Sequence, residues 1–338
     1  MKVDGGMGTD FSLEEPTGSA KKAEDAGYDG FFTAETKHDP FLPLVLASQE
    51  TTTLELGTSI AVAFARNPMN LAQIAYDLQA YSKGRFILGL GSQIKPHITK
   101  RFSMEWSKPA ARMREMILAI RAIWDSWNDQ EKLDFRGDFY THTLMTPFFD
   151  PGPSQYGLPK IALAGVGTMM TEVAGETSDI FLCHGFTTER YLREVTIPAL
   201  QRGAEKAGRT MDDVAISGPA FVVTGANEEE MERSAVGTRR QIAFYGSTPA
   251  YRPVLELHGW GGLQDELNTL SKQGKWAEMG ELIDDDILNT FAVVAEPDGI
   301  APELHRRFGD VVDRISFYAP YRSDPDTWLP VLEALKKA

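Results

Sequence analysis

The chain has 338 residues, 42% hydrophobic and 24% charged, which excludes a disordered or fibrous protein and leaves ample length for a large core. With 48 acidic against 34 basic residues the net charge is −14, so no nucleic-acid footprint is expected and any anionic ligand must be held by local donors. The single cysteine, Cys183, rules out an intrachain disulfide and fits a reducing cytoplasm; no apolar run approaches a membrane span, and the start Met1-Lys-Val-Asp-Gly-Gly lacks a signal-peptide pattern.

In chain order, Met1 to Val3 reads as a short first strand with Asp4 to Gly8 as its exit loop, and residues 12 to 26 carry a helical charge pattern. Phe31-Phe-Thr-Ala-Glu35 is a second strand, Pro40 to Thr51 a helix, Leu54 to Val62 a third strand and Met69 to Tyr81 a helix striped by Leu71, Ile74, Ala75 and Leu78. Arg85-Phe-Ile-Leu-Gly-Leu90 is too uniformly apolar for a half-exposed strand and reads as a parallel strand covered on both faces. A polar loop, Gly91 to His97, leads to a helix near 109 to 127 whose stripe of Met113, Met116, Ile117, Ile120, Ile123, Trp124 and Trp127 reads as core. Residues 128–157 break the rhythm as an insertion, with a hairpin expected around Phe135-Arg-Gly-Asp-Phe-Tyr140. Strand five and its helix follow from Ile161, strand six is Ser178 to Cys183, a helix runs from about 188 to 207, and Val214 to Val223 is strand seven. Residues 224–310 exceed one crossover and are read as helices over the strand ends, with Glu228 to Glu230 in a first helical turn and Asp284 to Asp286 as a solvated corner. Arg314 to Tyr318 and a closing helix from Pro325 complete the chain.

Eight strands, each followed by a helix, specify a (β/α)8 TIM barrel, one domain over residues 1–338, with insertions after strand 4 and between strands 7 and 8. Active sites of such barrels lie at the carboxyl ends of the strands. That position nominates Asp4, Glu35, Ser59 to Arg66, Gln93 with His97, Gly165 to Thr168, His184 and Tyr318. The crowded exit of strand two, Glu35, Lys37, His38 and Asp39, reads either as acid/base machinery or as a solvated loop.

Ile161-Ala-Leu-Ala-Gly-Val-Gly-Thr-Met-Met-Thr171 reads as a buried strand, a glycine turn and a helix start. Gly165 and Gly167 permit a sharp bend, and unpaired N–H groups with the positive end of the helix dipole make an anion site. An ordinary strand-to-helix turn uses the same residues. The six histidines show no paired metal-ligand spacing, and a metal site is not expected. No Gly-x-Ser-x-Gly elbow, Walker loop or Gly-x-Gly-x-x-Gly fingerprint occurs.

Four segments together resemble the bacterial-luciferase-like superfamily, and within it the coenzyme F420-dependent oxidoreductases. They are Arg85-Phe-Ile-Leu-Gly-Leu-Gly-Ser-Gln93, Ser59-Ile-Ala-Val-Ala-Phe-Ala-Arg-Asn-Pro68, Phe135 to Tyr140 and Gly165-Val-Gly-Thr-Met-Met-Thr-Glu-Val-Ala-Gly-Glu176. The resemblance runs nearly end to end. It implies a barrel, usually dimeric, that binds its ring cofactor at the strand ends and the cofactor phosphate at the turn after strand five. On that basis Gly165, Val166, Gly167, Thr168 and Met169 are expected to hold the phosphodiester. Ser59-Ile60 match a bulge with a non-proline cis peptide that supports the ring, and Gln93 falls where some relatives place a glutamate. Deazaflavin dehydrogenases carry a histidine directly after the strand-two acid; here Thr36 intervenes and His38 comes two residues later. The departure leaves open whether Glu35 or His38 handles the proton, with Gln93 and His97 contacting ring or substrate.

The implied function is hydride transfer between coenzyme F420 and a small-molecule substrate in a cytoplasmic homodimer, with no nucleic-acid or membrane partner. Two alternatives share the barrel: an FMN-dependent monooxygenase, and a non-catalytic flavin- or deazaflavin-binding protein.

Overall fold

The computed structural model describes residues 1–7, 16–323 and 325–337. The fold is a (β/α)8 barrel with principal strands Lys2–Gly6, Gly30–Thr33, Glu55–Thr58, Phe86–Gly91, Lys160–Gly165, Ile180–Cys183, Ala215–Val223 and Arg314–Tyr318. The first helix is Pro16–Ala26; residues 12–15 of its expected span, and Gly8 of the preceding loop, lie outside the described residues. The chain divides into two compact units, one of residues 5–182 and 199–215, the other of residues 1–4, 183–198 and 216–338.

In the first unit, parallel ladders join Gly30–Thr33 to Glu55–Thr58, Leu56 and Gly57 to Phe86 and Ile87, and Ile87–Leu90 to Lys160–Leu163. Phe86–Gly91 is buried at every position, as its uniformly apolar sequence requires. The strand expected over 54–62 is interrupted. Its ladder stops at Thr58, and Ala61–Val62 resume pairing against Leu90 and Gly91. Helix Pro109–Asn128 buries its whole apolar stripe, and the Trp124 indole N–H donates to the Ala72 carbonyl at 3.0 Å, so the ring is buried with its polar group satisfied. The insertion after strand four contains the expected hairpin, Phe135–Arg136 against Thr141–His142. Glu115 on the long helix accepts from the N–H groups of Asp138, Phe139 and Tyr140 at 2.8, 2.6 and 2.6 Å and so fixes the hairpin turn.

In the second unit, Arg314–Tyr318 pairs in parallel with Lys2–Asp4 and with Ser217–Phe221. Arg314 and Asp4 are both buried and form a two-pronged ion pair at 2.8 and 2.6 Å between neighbouring strands. Asp4, nominated by its strand-end position, therefore belongs to the strand pairing. The second insertion folds into helices Glu228–Gly246, Arg252–Leu257, Gly261–Lys272, Trp276–Glu281, Asp285–Phe291 and Pro297–Phe308. It also supplies an unforeseen short strand, Ala292–Val294, paired with Phe221–Val223. Three apolar residues directly after a helix carry no period of their own to announce a strand. Phe186, Phe221, Ile242, Leu255, Leu267 and Phe291 form the core here. Asp284 to Asp286 are exposed, as expected of a solvated corner, and Asp284 also caps a helix, its carboxylate accepting from the Ile287 N–H at 2.9 Å. No helix among the described residues is long and apolar enough to cross a membrane.

Candidate active site

The exits of strands two and three are tied together by Glu35. Its backbone N–H donates to the Ile60 carbonyl at 3.0 Å, and its buried carboxylate accepts from the Val62 N–H at 2.7 Å. The Ser59 N–H donates in turn to the Thr33 carbonyl at 2.7 Å. The segment between the two halves of strand three is thus clamped on both sides, and within it the Ser59–Ile60 peptide is cis. Arg66 completes the group. One of its terminal nitrogens donates to Glu35 Oε2 at 2.5 Å, the other to Asp39 Oδ2 at 2.9 Å, and its guanidinium lies 5.4 Å from the Phe41 ring centroid. Glu35, nominated for proton handling, has its carboxylate engaged in an ion pair at the base of the bulge.

Ile60 reaches across to strand four. A Cβ at Gly91 would stand 2.8 Å from Ile60 Cγ1, so glycine there makes room for the isoleucine side chain. Gln93, two residues on, is half-buried and left-handed at φ 56°, a conformation uncommon for a side-chain-bearing residue. His97 opens a single π-helical turn, His97–Arg101, and is exposed, as is His38 in the loop after strand two. Arg101 donates to the Thr36 carbonyl at 2.5 Å, joining the loops that carry the two histidines.

After strand five, helix Thr168–Thr177 begins with Gly167 as its N-cap and no side-chain cap. Gly165 and Gly167 are glycine for different reasons. A Cβ at Gly165 would meet the Phe181 ring at 3.0 Å and Met170 at 3.3 Å, so the close packing there disfavours one. At Gly167 a Cβ would meet nothing within 4 Å, and φ of −93° suits any residue. Nothing among the described residues requires glycine there. Gly167, Thr168 and Met169 are exposed around the uncapped N–H groups, Val166 is half-buried, and Met169 is 73% exposed. Thr171 is buried, and its hydroxyl donates to the Gly167 carbonyl at 3.1 Å.

The other unit carries a separate polar group built on rings. His184 leaves strand six with Nδ1 accepting from the Phe186 N–H at 3.0 Å and Nε2 3.1 Å from the Tyr251 hydroxyl. It stacks on Tyr251 at 4.6 Å and meets Tyr245 edge-on at 4.6 Å. Burial pushes its pKa down to about 4, so the imidazole is neutral. The Tyr245 and Tyr318 hydroxyls are 2.6 Å apart, and burial, followed by that hydrogen bond, raises the Tyr318 phenol above the ordinary tyrosine range. Burial holds the Tyr251 phenol up at about 12. Cys183, the neighbour of His184, is buried with its thiol pushed up to about 12 by that burial, which makes it inert at neutral pH.

A family model for luciferase-like monooxygenases matches residues 1–314. The chain belongs to that family. This luciferase-like protein is 54% identical over 315 residues to an uncharacterised protein of Mycobacterium tuberculosis, covering 93% of this chain and 92% of that one. It is 25% identical over 296 residues to a 5,10-methylenetetrahydromethanopterin reductase of Archaeoglobus fulgidus, covering 84% of this chain and 83% of the relative. Its fold is similar to that of the coenzyme F420-dependent tetrahydromethanopterin reductase of Methanopyrus kandleri, with a TM-score of 0.78, 19% identity, and 99% and 96% of the two chains covered.

The luciferase-like chain places Glu35, Ser59, Ile60, Gln93, His38, His97 and Gly165 to Met169 at the carboxyl ends of strands two to five, all in one unit. Among these the structure joins Glu35 to the bulge and Ile60 to strand four, while the glycine turn packs on its own helix and on Phe181. For two sets of residues the sequence gives no role. Arg66 was only one member of a nominated stretch, although it is the sole cation between Ser59 and Pro68 and faces an acidic strand-two exit. Tyr245 and Tyr251 lie in the second insertion, where Tyr245 is one of several aromatic residues, with Phe244, Trp260 and Phe291, that sequence leaves unranked as pocket residues and no local pattern marks Tyr251. Among the described residues no group of three or more His, Cys, Asp or Glu could hold a metal ion.

Proposed function

We propose that this protein is a coenzyme F420-dependent oxidoreductase that moves a hydride between the deazaflavin ring and a small organic substrate. The observation that carries the reading is the turn at Gly165 to Met169. It offers an uncapped helix start, open space above Gly167, and a glycine that neither backbone conformation nor packing demands. A phosphodiester is the group that such a helix start accommodates. The name of a relative from Mycobacterium tuberculosis, a putative coenzyme F420-dependent oxidoreductase 27% identical over 297 residues, supports F420 as its owner.

The cofactor would supply hydride chemistry at its ring. The chain's own residues bind, orient and control protons. Gly165, Val166, Gly167, Thr168 and Met169 hold the phosphodiester through first-turn N–H groups. Ser59 and Ile60 support the ring, with Ile60 backed by Gly91, and Gln93 offers its amide to the ring edge. Glu35 acts as a positioning residue: paired with Arg66 and bound to Val62, it sets the bulge. Proton transfer then falls to His38 or His97, the exposed imidazoles of the two adjoining loops.

An anaerobic assay tests this. Reduced coenzyme F420 is mixed with the protein and a panel of organic acceptors, and oxidised-cofactor absorbance is followed. Catalysed reoxidation by at least one acceptor supports the reading. Turnover only with reduced FMN and oxygen would move the protein to flavin monooxygenation.

A further inference from the structure

None of the roles assigned above draws on the stripe of helix Glu228–Gly246 that carries Gly237, Arg240 and Phe244. With Trp276 and Met279 of helix Trp276–Glu281 and Pro320 beyond strand eight, these residues line a cavity of about 560 Å³, a size that takes one small molecule. Two glycines let its walls pack closely. A Cβ at Gly237 would stand 3.2 Å from the Pro320 carbonyl oxygen and 3.2 Å from Tyr321 Cβ, and one at Gly280 would stand 3.0 Å from Arg240 Cγ. The helix is thereby held against the chain leaving strand eight and against the neighbouring helix, so the cavity is formed before any ligand arrives.

The lining combines two kinds of group. Phe244 and Trp276 are large rings left 49% and 51% exposed, with centroids 6.0 Å apart. Arg240 is a cation with nothing to hold: among the described residues it makes no hydrogen bond or ion pair. The carboxylates nearby do not neutralise it. Lys275 holds Glu278 at 3.1 Å, Asp285 pairs with Arg239, and Glu281, next to Gly280, makes no bond to Arg240.

Those groups select the ligand. A cation meets Arg240 as a like charge, and a hydrocarbon covers its guanidinium without offering an acceptor. A carboxylate accepts two parallel N–H bonds from the guanidinium fork, and a flat ring attached to it packs edge-on or offset against Phe244 and Trp276. An alicyclic acid supplies the first contact without the second. We propose that this cavity binds an aromatic carboxylate, its charge on Arg240 and its ring against Phe244 and Trp276. The site uses no residue assigned to coenzyme F420 and does not rest on the function proposed above.

The test uses the full chain with its six tryptophans replaced by 5-fluorotryptophan, the Trp276 fluorine signal being identified by its loss in Trp276→Phe. 2-Naphthoate, 2-naphthalenemethanol and cyclohexanecarboxylate are titrated in parallel. 2-Naphthoate is expected to shift the Trp276 signal saturably and to bind at least about fivefold tighter than either analogue, the worth of one charge-assisted hydrogen bond at a partly exposed site. Arg240→Gln removes a side chain that bonds to nothing in the chain and is expected to weaken 2-naphthoate by about fivefold to tenfold without altering the alcohol. If Arg240→Gln does not fold, Arg240→Lys takes the same test, the fork being lost while the charge stays. No saturable shift at Trp276, shifts confined to other tryptophans, equal binding of the alcohol or of the alicyclic acid, or no effect of the Arg240 substitution overturns the proposal.

Discussion

Removing Arg66 tests whether the strand-two acid is a positioning group. In Arg66→Met the Glu35 carboxylate keeps the Val62 N–H at 2.7 Å but loses its cation, while its side chain stays only 6% exposed. Breaking a buried pair by deleting one partner costs about 3–5 kcal/mol; since the Arg66 side chain is 19% exposed and admits some water, about 2–4 kcal/mol is expected. Glu35→Gln retains shape and an acceptor for Val62, and Arg66 retains Asp39 at 2.9 Å, so its cost is about 1–2 kcal/mol. The double variant should cost less than the sum of the singles by about 1–2 kcal/mol, because the orphaned charge that makes Arg66→Met costly is gone. Urea unfolding midpoints at constant slope measure all three. Arg66→Met within about 0.5 kcal/mol of the parent, the range of ordinary surface changes, would refute the clamp and return Glu35 to proton transfer.

Three further outcomes follow from named residues. Gly167→Asp, in open space at an unstrained φ, should leave the unfolding midpoint unchanged while abolishing measurable binding of a phosphate-bearing cofactor; Gly165→Ala should instead cost about 1–3 kcal/mol of stability by overpacking against Phe181 and Met170. His184 has a folded pKa of about 4, below its ordinary 6.5, so the unfolded state takes up a proton that the folded state refuses and stability falls as pH drops from 6.5 to 4. Over that window the parent should lose about 3 kcal/mol more than His184→Gln in equilibrium unfolding, and parallel curves would contradict the buried neutral imidazole. Cys183 should be silent to a thiol reagent at pH 8 in the native protein and react as one equivalent in denaturant; rapid native reaction would contradict its burial.

The barrel was legible because its signals are local. Uniformly apolar Phe86–Gly91, the helical stripe from Met113 to Trp127 and the glycine turn at Gly165 each announce themselves within one short stretch of chain. The break in strand three was invisible to pattern reading, since Leu54 to Val62 is continuously strand-like and the interruption is held by Glu35, some 27 residues away from Val62. The resemblance located the Ser59–Ile60 bulge and carries Arg66 in the same segment, but nothing in it announces the pairing of Arg66 with Glu35. Position alone nominated both Asp4 and His184. One proved to be an interstrand ion pair, and the other the hub of a ring cluster whose stacked partner, Tyr251, lies 67 residues further along the chain. Contacts at that separation inside an irregular insertion leave no periodic trace in sequence.

The central claim is most directly tested by parallel spectroscopic titration of the purified apo-protein with coenzyme F420 and FMN, each repeated with Gly167→Asp. The account predicts clearly tighter binding of coenzyme F420 and its loss in the variant. Preference for FMN, or binding that survives the variant, would contradict it.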